Sequence, residues 1–100
     1  MKLSVIIVSY NVCHYLCQCL DAVWRAAQVA DVETEVFVVD NHSKDGTIAL
    51  LSREYPLYLQ EQGANNCRLH LCANHCNVGF GRATHQAWRE CTGDYGVFLN

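Results

Sequence analysis

The sequence predicts an α/β protein built on a parallel, doubly wound sheet with the element order β-α-β-α-β-α-β. Three observations carry that reading. Leu3 to Ser9 and Val36-Phe37-Val38-Val39 are apolar, β-branched runs, as expected of strands covered on both faces. Between such runs lie segments whose apolar residues recur every three or four positions, so helices alternate with strands. The strand-like runs lead into polar or glycine-containing segments, which collect along one edge when strands are parallel.

Taken in order, Leu3 to Ser9 is the first strand. Lys2 before this apolar run imitates a secretory signal. The run is short against the usual ~7–15 residues and lacks a small-residue cleavage site, so it reads as a buried strand. Val12 to about Ala30 is the first helix, with Leu16, Leu20, Val23, Trp24 and Ala27 on one face. Glu35 to Asp40 is the second strand. Asp45 to about Glu54 is the second helix, capped by Ser43 or Asp45, with Ile48, Leu51 and Tyr55 inward and Pro56 as its stop. Leu57 to Asn66 reads as a polar loop and Cys67 to Ala73 as the third strand. Gly79 to about Cys91 is the third helix, with Ala83, Ala87 and Trp88 on one side. Thr92-Gly93-Asp94 is a turn in which Gly93 suits a left-handed helix end. Tyr95 to Leu99 is the fourth strand. Right-handed crossovers place helices on both faces. Such a sheet normally continues from strand into helix, so the sequence reads as one domain, residues 1–100, truncated after its fourth strand.

Composition narrows the function. Of 100 residues, 51% are hydrophobic and 17% charged, which supports a real core and excludes disorder. The net charge is -3 and no basic run stands out, which argues against nucleic acid as a partner. No stretch approaches the ~20 apolar residues of a membrane span. The cysteines, Cys13, Cys17, Cys19, Cys67, Cys72, Cys76 and Cys91, number seven, so they cannot all pair internally. They read as reduced small hydrophobes of a cytoplasmic protein. Cys67, His70, Cys72, His75 and Cys76 lie close together but lack paired zinc-ligand spacing.

The chemistry is expected at the carboxyl ends of the strands, in Ser9-Tyr10-Asn11, in Asp40-Asn41-His42-Ser43, in Asn74 through Gly81, and at Asn100. Asp40 is the most informative of these: a carboxylate closing a buried strand meets either a ligand or its own backbone in a turn. Asn11 either caps the first helix or contacts a ligand, and Asp45 reads as a helix cap. Gly79 and Gly81 either let backbone amides approach a ligand at a helix start or serve close packing. They form no dinucleotide fingerprint, because Thr84 occupies the third glycine position. His42, beside the crevice, is the histidine placed to titrate there.

Four motifs carry a resemblance. Ser4-Val5-Ile6-Ile7-Val8-Ser9-Tyr10-Asn11, Val38 through Thr47, Asn77-Val78-Gly79-Phe80-Gly81-Arg82-Ala83 and Gly93 through Asn100 resemble, in order and spacing, the motifs of family 2 glycosyltransferases of the GT-A fold. The resemblance covers nearly the whole chain. It implies the amino-terminal, nucleotide-binding half of a larger catalytic domain that takes a UDP- or dTDP-sugar donor and, by inversion, moves the sugar to an acceptor hydroxyl on a carbohydrate or glycolipid. It implies that Ser9, Tyr10, Asn11 and Asp40 hold the nucleobase and ribose, and that Asn77, Gly79, Phe80 and Gly81 lie along the nucleotide. Asn41 resembles the rhamnosyltransferase-like branch. Asn100 stands where the metal-binding D-x-D, often N-P-D, begins. The carboxylate for a divalent cation (Mg or Mn), the general base and all catalytic residues are therefore expected beyond Asn100, and the chain alone is expected to be inactive. His85 departs from the family's usual asparagine. The implied location is the cytoplasm, with the full-length protein at the cytoplasmic face of the membrane. A second reading is a small cysteine-rich α/β metal-binding or thiol redox module. The open sheet edge of a truncated domain predicts self-association.

Overall fold

The computed structural model describes residues 1–99, and the expectation for Asn100 lies outside them. The strands are β1 (Lys2–Ser9), β2 (Glu33–Asp40), β3 (Cys67–Ala73) and β4 (Tyr95–Leu99). The helices are α1 (Cys13–Ala30), α2 (Thr47–Ala49), α3 (Tyr55–Glu61) and α4 (Phe80–Trp88), with a π-helical stretch, Leu50–Glu54, joining α2 to α3. The strands form one sheet in the order β3-β2-β1-β4, every pair parallel. The chain therefore steps outward from β1 to β3, then returns across the sheet to β4. That reversal places a topological switch between β1 and β4, where open α/β sheets hold ligands.

Alternation along the strands sorts the core into two layers. Val5 and Ile7 of β1 and Val36 and Val38 of β2 pack with Leu16, Leu20, Leu51, Tyr55 and Leu59 from α1, the π stretch and α3. Ile6 and Val39 point the other way and meet Ala83 and Ala87 of α4. Alanines at these two positions let the α4 backbone lie close to the sheet.

Three local expectations are corrected. Pro56 does not stop the second helix; the helix passes through it and ends at Glu61, so the first half of the expected Leu57–Asn66 loop is helical. Proline is tolerated at the first turn of a helix, and α3 begins afresh at Tyr55 after the wider π turn. Gly93 is not left-handed, since the positive-φ glycines are Gly46, Gly63 and Gly79. Gly93 is needed for a close approach, because a Cβ there would stand 2.5 Å from Ser4 Oγ and 2.8 Å from Ser4 N. The last helix ends at Trp88, short of Cys91.

The amino-terminal edge of the sheet is closed by a buried charge. Glu35 is 4% exposed. Its carboxylate accepts hydrogen bonds from Ser4 Oγ at 2.5 Å, Thr92 N at 2.7 Å and Thr92 Oγ1 at 2.9 Å, with Lys2 Nζ at 3.3 Å. Burial opposes its ionisation, but these donors outweigh it and hold its pKa at about 2. The cluster ties the α4–β4 turn to β1 and β2 and so fixes where β4 enters the sheet.

Candidate functional site

The register aligns the carboxyl ends of the strands: Ser9 of β1 pairs with Asp40 of β2, and Asp40 with Ala73 of β3. The three loops that follow are hydrogen-bonded to one another. Asn41 N donates to Ser9 O and Asn74 N to Asp40 O, both at 2.8 Å, which extends the sheet ladder one step into the loops.

Asp40 is fully buried. One carboxylate oxygen accepts from Ser43 N at 2.8 Å and the other from Ser43 Oγ. Ser43 Oγ also accepts from Asn11 N at 2.9 Å, and Asn11 Oδ1 accepts from Lys44 N at 2.8 Å. The β1 and β2 loops are thus linked in series, Asn11 to Ser43 to Asp40. Asn11 has φ 51°, a left-handed conformation that asparagine tolerates, and it does not cap α1, whose N-cap is Val12. Asp45 serves that end of α1, accepting from Cys13 N at 2.9 Å. It also accepts from Thr47 Oγ1 at 2.5 Å and Thr47 N at 3.3 Å at the start of α2. The Thr47 hydroxyl and then the Cys13 amide hold the Asp45 carboxyl below its usual range.

Asn41 is buried and its amide is engaged within the chain. Its Oδ1 accepts from Asn74 Nδ2 at 3.0 Å and Val78 N at 3.4 Å, and its Nδ2 donates to Gly79 O at 3.4 Å. Asn74 in turn pairs twice with Gln86 of α4, at 2.9 and 3.1 Å. Asn41 therefore couples the end of β2 to the loop before α4.

In that loop Asn77 Oδ1 accepts from Gly79 N at 2.9 Å. Gly79 has φ 87° and ψ 167°, a conformation open only to glycine. A Cβ at Gly81 would meet nothing within 4 Å, and the same is true at Gly79, so packing within the chain explains neither glycine. Gly81 leaves the first turn of α4 uncovered, with its unbonded backbone amides reachable. Phe80, in that turn, and Tyr10, in the loop after β1, are exposed. Ser9 is wholly buried, and its hydroxyl has no partner among the described residues.

The sequence offers Ser43 as a cap of the second helix, whereas its hydroxyl bonds Asn11 and Asp40 instead, and it leaves the roles of Asn74 and Gln86 unread. Ser43 stands within the Asp40 loop, yet its bond to Asn11 joins positions 32 apart, and no local pattern signals that.

Of the cysteine/histidine group, Cys67 is buried, Cys72 and Cys76 are exposed, and His70 stacks on Phe37 with ring centroids 4.7 Å apart. Among the described residues no group of three or more His, Cys, Asp and Glu is arranged to hold a metal ion. Burial raises the thiol pKa values of Cys17, Cys19, Cys67 and Cys91, opposite to what a reactive thiolate requires. No helix among the described residues is long and apolar enough to cross a membrane.

Comparison with known proteins places this geometry. A family model described as Glycosyl transferase family 2 matches residues 4–100. Among solved structures, S. aureus TarS 1-349 is 27% identical with a TM-score of 0.68, over 99% of this chain and 27% of that one. The same protein in complex with UDP-GlcNAc also matches at 27% identity and a TM-score of 0.68, over 99% of this chain and 26% of that one. The mannosyltransferase PcManGT from Pyrobaculum calidifontis, in complex with GDP-Man and Mn2+, is 26% identical with a TM-score of 0.68, over 92% of this chain and 25% of that one. The chain thus spans about a quarter of these structures. A search of curated proteins returns no match.

Proposed function

This chain belongs to glycosyl transferase family 2, and from that premise we propose that it is the donor-nucleotide-binding portion of a larger GT-A catalytic domain. The observation that carries the proposal is the placement of Asp40, a buried carboxylate at the end of β2 that, among the described residues, only the Ser43 amide and hydroxyl hold. Its remaining lone pairs suit the ring imide N–H of uracil or thymine, and cytosine has no proton at that position. The carboxylate is closed off by the Ser43–Asn11 link, so a base reaches it when that link opens. Ser9, Tyr10 and Asn11 then border the base and ribose, with the Ser9 hydroxyl, unpartnered among the described residues, beneath. The backbone of Asn77, Gly79, Phe80 and Gly81 and the start of α4 face the diphosphate, where amides and the helix dipole favour negative charge. Asn41 positions this loop from behind.

The neighbours support a nucleotide-sugar donor, since TarS is found with UDP-GlcNAc and PcManGT with GDP-Man. Guanine also carries a ring N–H that a carboxylate accepts. The proposal keeps a UDP- or dTDP-sugar as the donor and, on the Asn41 motif, a rhamnosyltransferase-like branch. Transfer is to an acceptor hydroxyl of a carbohydrate or glycolipid with inversion at the sugar carbon, in the cytoplasm at the inner membrane face. A divalent cation, as in the PcManGT complex, belongs to the proposal for the longer enzyme, where it would stabilise the departing diphosphate. The described residues do not form a site for it. Acid, base and nucleophile roles also fall outside the described residues, so the 100-residue chain is proposed to bind donor without transferring sugar. β4 is a sheet edge with Tyr95 and Phe98 exposed, and copies of the chain are proposed to associate along it. Calorimetric titration with UDP, dTDP and CDP tests the donor reading. Binding of the first two and discrimination against the third supports it, and equal binding of all three contradicts it. Light scattering that finds a monomer would remove the self-association.

A further inference from the structure

Three side-chain amides form an unbroken relay behind the loop that precedes α4. Gln86 of α4 and Asn74, just after β3, pair head to head. Asn74 Nδ2 donates to Gln86 Oε1 at 2.9 Å, and Gln86 Nε2 donates back to Asn74 Oδ1 at 3.1 Å. Asn74 Nδ2 also donates to Asn41 Oδ1 at 3.0 Å. Asn41 then meets the loop: Val78 N donates to its Oδ1 and its Nδ2 donates to Gly79 O, both at 3.4 Å. Gln86 and Asn74 are exposed and Asn41 is buried, so the relay runs from the surface inward.

Its polarity is determined. A backbone N–H meets only an oxygen, so Val78 N requires Asn41 Oδ1 on its side. Asn74 must then present its nitrogen to that oxygen, which leaves its own oxygen for Gln86. The backbones of both asparagines are fixed by the ladder that runs on past the strands, Asn41 N to Ser9 O and Asn74 N to Asp40 O. Rotation of the exposed Asn74 side chain is what remains, and the paired bonds to Gln86 remove it, since two parallel bonds fix a plane as well as a distance. The bonds nearest Gln86 have ordinary lengths and those to the loop are long, so the loop takes its position from the amides behind it.

The relay ends on a peptide group. Gly79 O accepts from Asn41 Nδ2 and, at 3.2 Å, from Ala83 N in the first turn of α4. The Gly79–Phe80 peptide is trans, so its N–H points opposite to its carbonyl. Holding the carbonyl toward buried Asn41 turns the Phe80 amide outward. That amide has no backbone acceptor among the described residues, and it is the first of those that the donor reading directs at a diphosphate. We propose that Gln86 is a positioning residue for the diphosphate, acting through Asn74 and Asn41 on the orientation of the Gly79–Phe80 peptide. Gln86 itself lies six residues along α4 from Phe80, roughly 9 Å. This role presupposes the donor reading of the loop. A contact that only steadies the fold affects every ligand alike. A residue acting on this peptide affects the phosphate end of the donor and spares the base end at Asp40.

NMR titration of UDP and of uridine into wild type, Gln86→Met, Asn74→Ala and the double variant tests the role. Methionine keeps the length and helix propensity of glutamine without its donor and acceptor. Gln86→Met should weaken UDP binding about threefold and Asn74→Ala about fivefold, with uridine affinity unchanged in both. In the Asn74→Ala background Gln86→Met should have no further effect, because the partner through which it acts is gone. Circular dichroism checks that the variants fold, and Gln86→Met decides alone, by the ratio of UDP to uridine affinity, if Asn74→Ala does not. Equal weakening of UDP and uridine would make Gln86 a structural residue and overturn the proposal. So would an unchanged UDP affinity in Gln86→Met, or an undiminished effect of it in the Asn74→Ala background. A wild-type chain that binds neither ligand removes the donor reading and this role with it, an outcome distinct from UDP binding that Gln86→Met leaves intact.

Discussion

Strand β2 carries a buried carboxylate near each end, and the two are held in different ways. Glu35, at the amino end, is surrounded by Ser4, Thr92 and the Lys2 ammonium, so its charge is matched by a cation and its lone pairs are filled. Asp40, at the carboxyl end, is at least as deeply buried but, among the described residues, is held by one serine on a loop with no cation against it. A group whose partners all lie on the sheet and its tight turns is structural. A group whose one partner lies on a loop can exchange that partner for a ligand. Depth of burial alone does not separate the two, and the identity of the partners does.

The comparison breaks most readily at Glu35. Replacing it with alanine takes the nearer of two carboxylates from Lys2 and the acceptor from the Thr92 amide and the Ser4 hydroxyl, and should cost about 3 kcal/mol of stability. Urea unfolding measures this, and nucleotide affinity of the folded fraction should be unchanged. A variant of wild-type stability would mean that the cluster does not hold β4.

Next in size is base selection. Asp40→Asn supplies an amide that can donate to the cytosine ring nitrogen, so the preference for UDP over CDP should shrink about tenfold. Competition binding reads the ratio, and an unchanged ratio would detach Asp40 from the base.

The pH dependence follows from Glu35. Its folded pKa is about 2 against an ordinary 4.5, a depressed value, so its contribution to stability is complete above the ordinary value and is lost as pH falls toward 2. Thermal melts across that window should steepen toward acid, and Glu35→Gln should flatten this part of the profile. A Glu35→Gln profile parallel to wild type would contradict the assignment.

Smaller again is the loop link. Ser43→Ala removes the hydroxyl's bonds to Asn11 and Asp40, leaving the amide bond to Asp40, and should destabilise the chain by about 1 kcal/mol. Because the link also shields Asp40, the same variant should bind UDP no more weakly than wild type. A large loss of affinity would make Ser43 a ligand contact.

The contrast between the ends of β2 also marks how far the sequence can be read. β3 and β4 are legible to the residue, and the parallel order follows from apolar strands alternating with amphipathic helices. The local rule fails at Pro56, because a proline that ends one helix can also occupy the first turn of the next. At the site, Asp40, Asn11 and Gly79 stand out because strand ends, turns and helix starts demand particular residues. The Asn11–Ser43 and Asn41–Asn74 bonds do not, since they join positions that are neighbours only after the sheet has formed. Glu35 is invisible for the same reason: its meaning lies in Thr92, at the far end of the chain.

Isothermal titration of UDP into wild type and Asp40→Ala, with and without manganese, tests the central claim most directly. The account predicts that the wild-type chain binds and that Asp40→Ala weakens binding at least about tenfold, the worth of a hydrogen bond to a charged group. Equal affinities for the two proteins would contradict it.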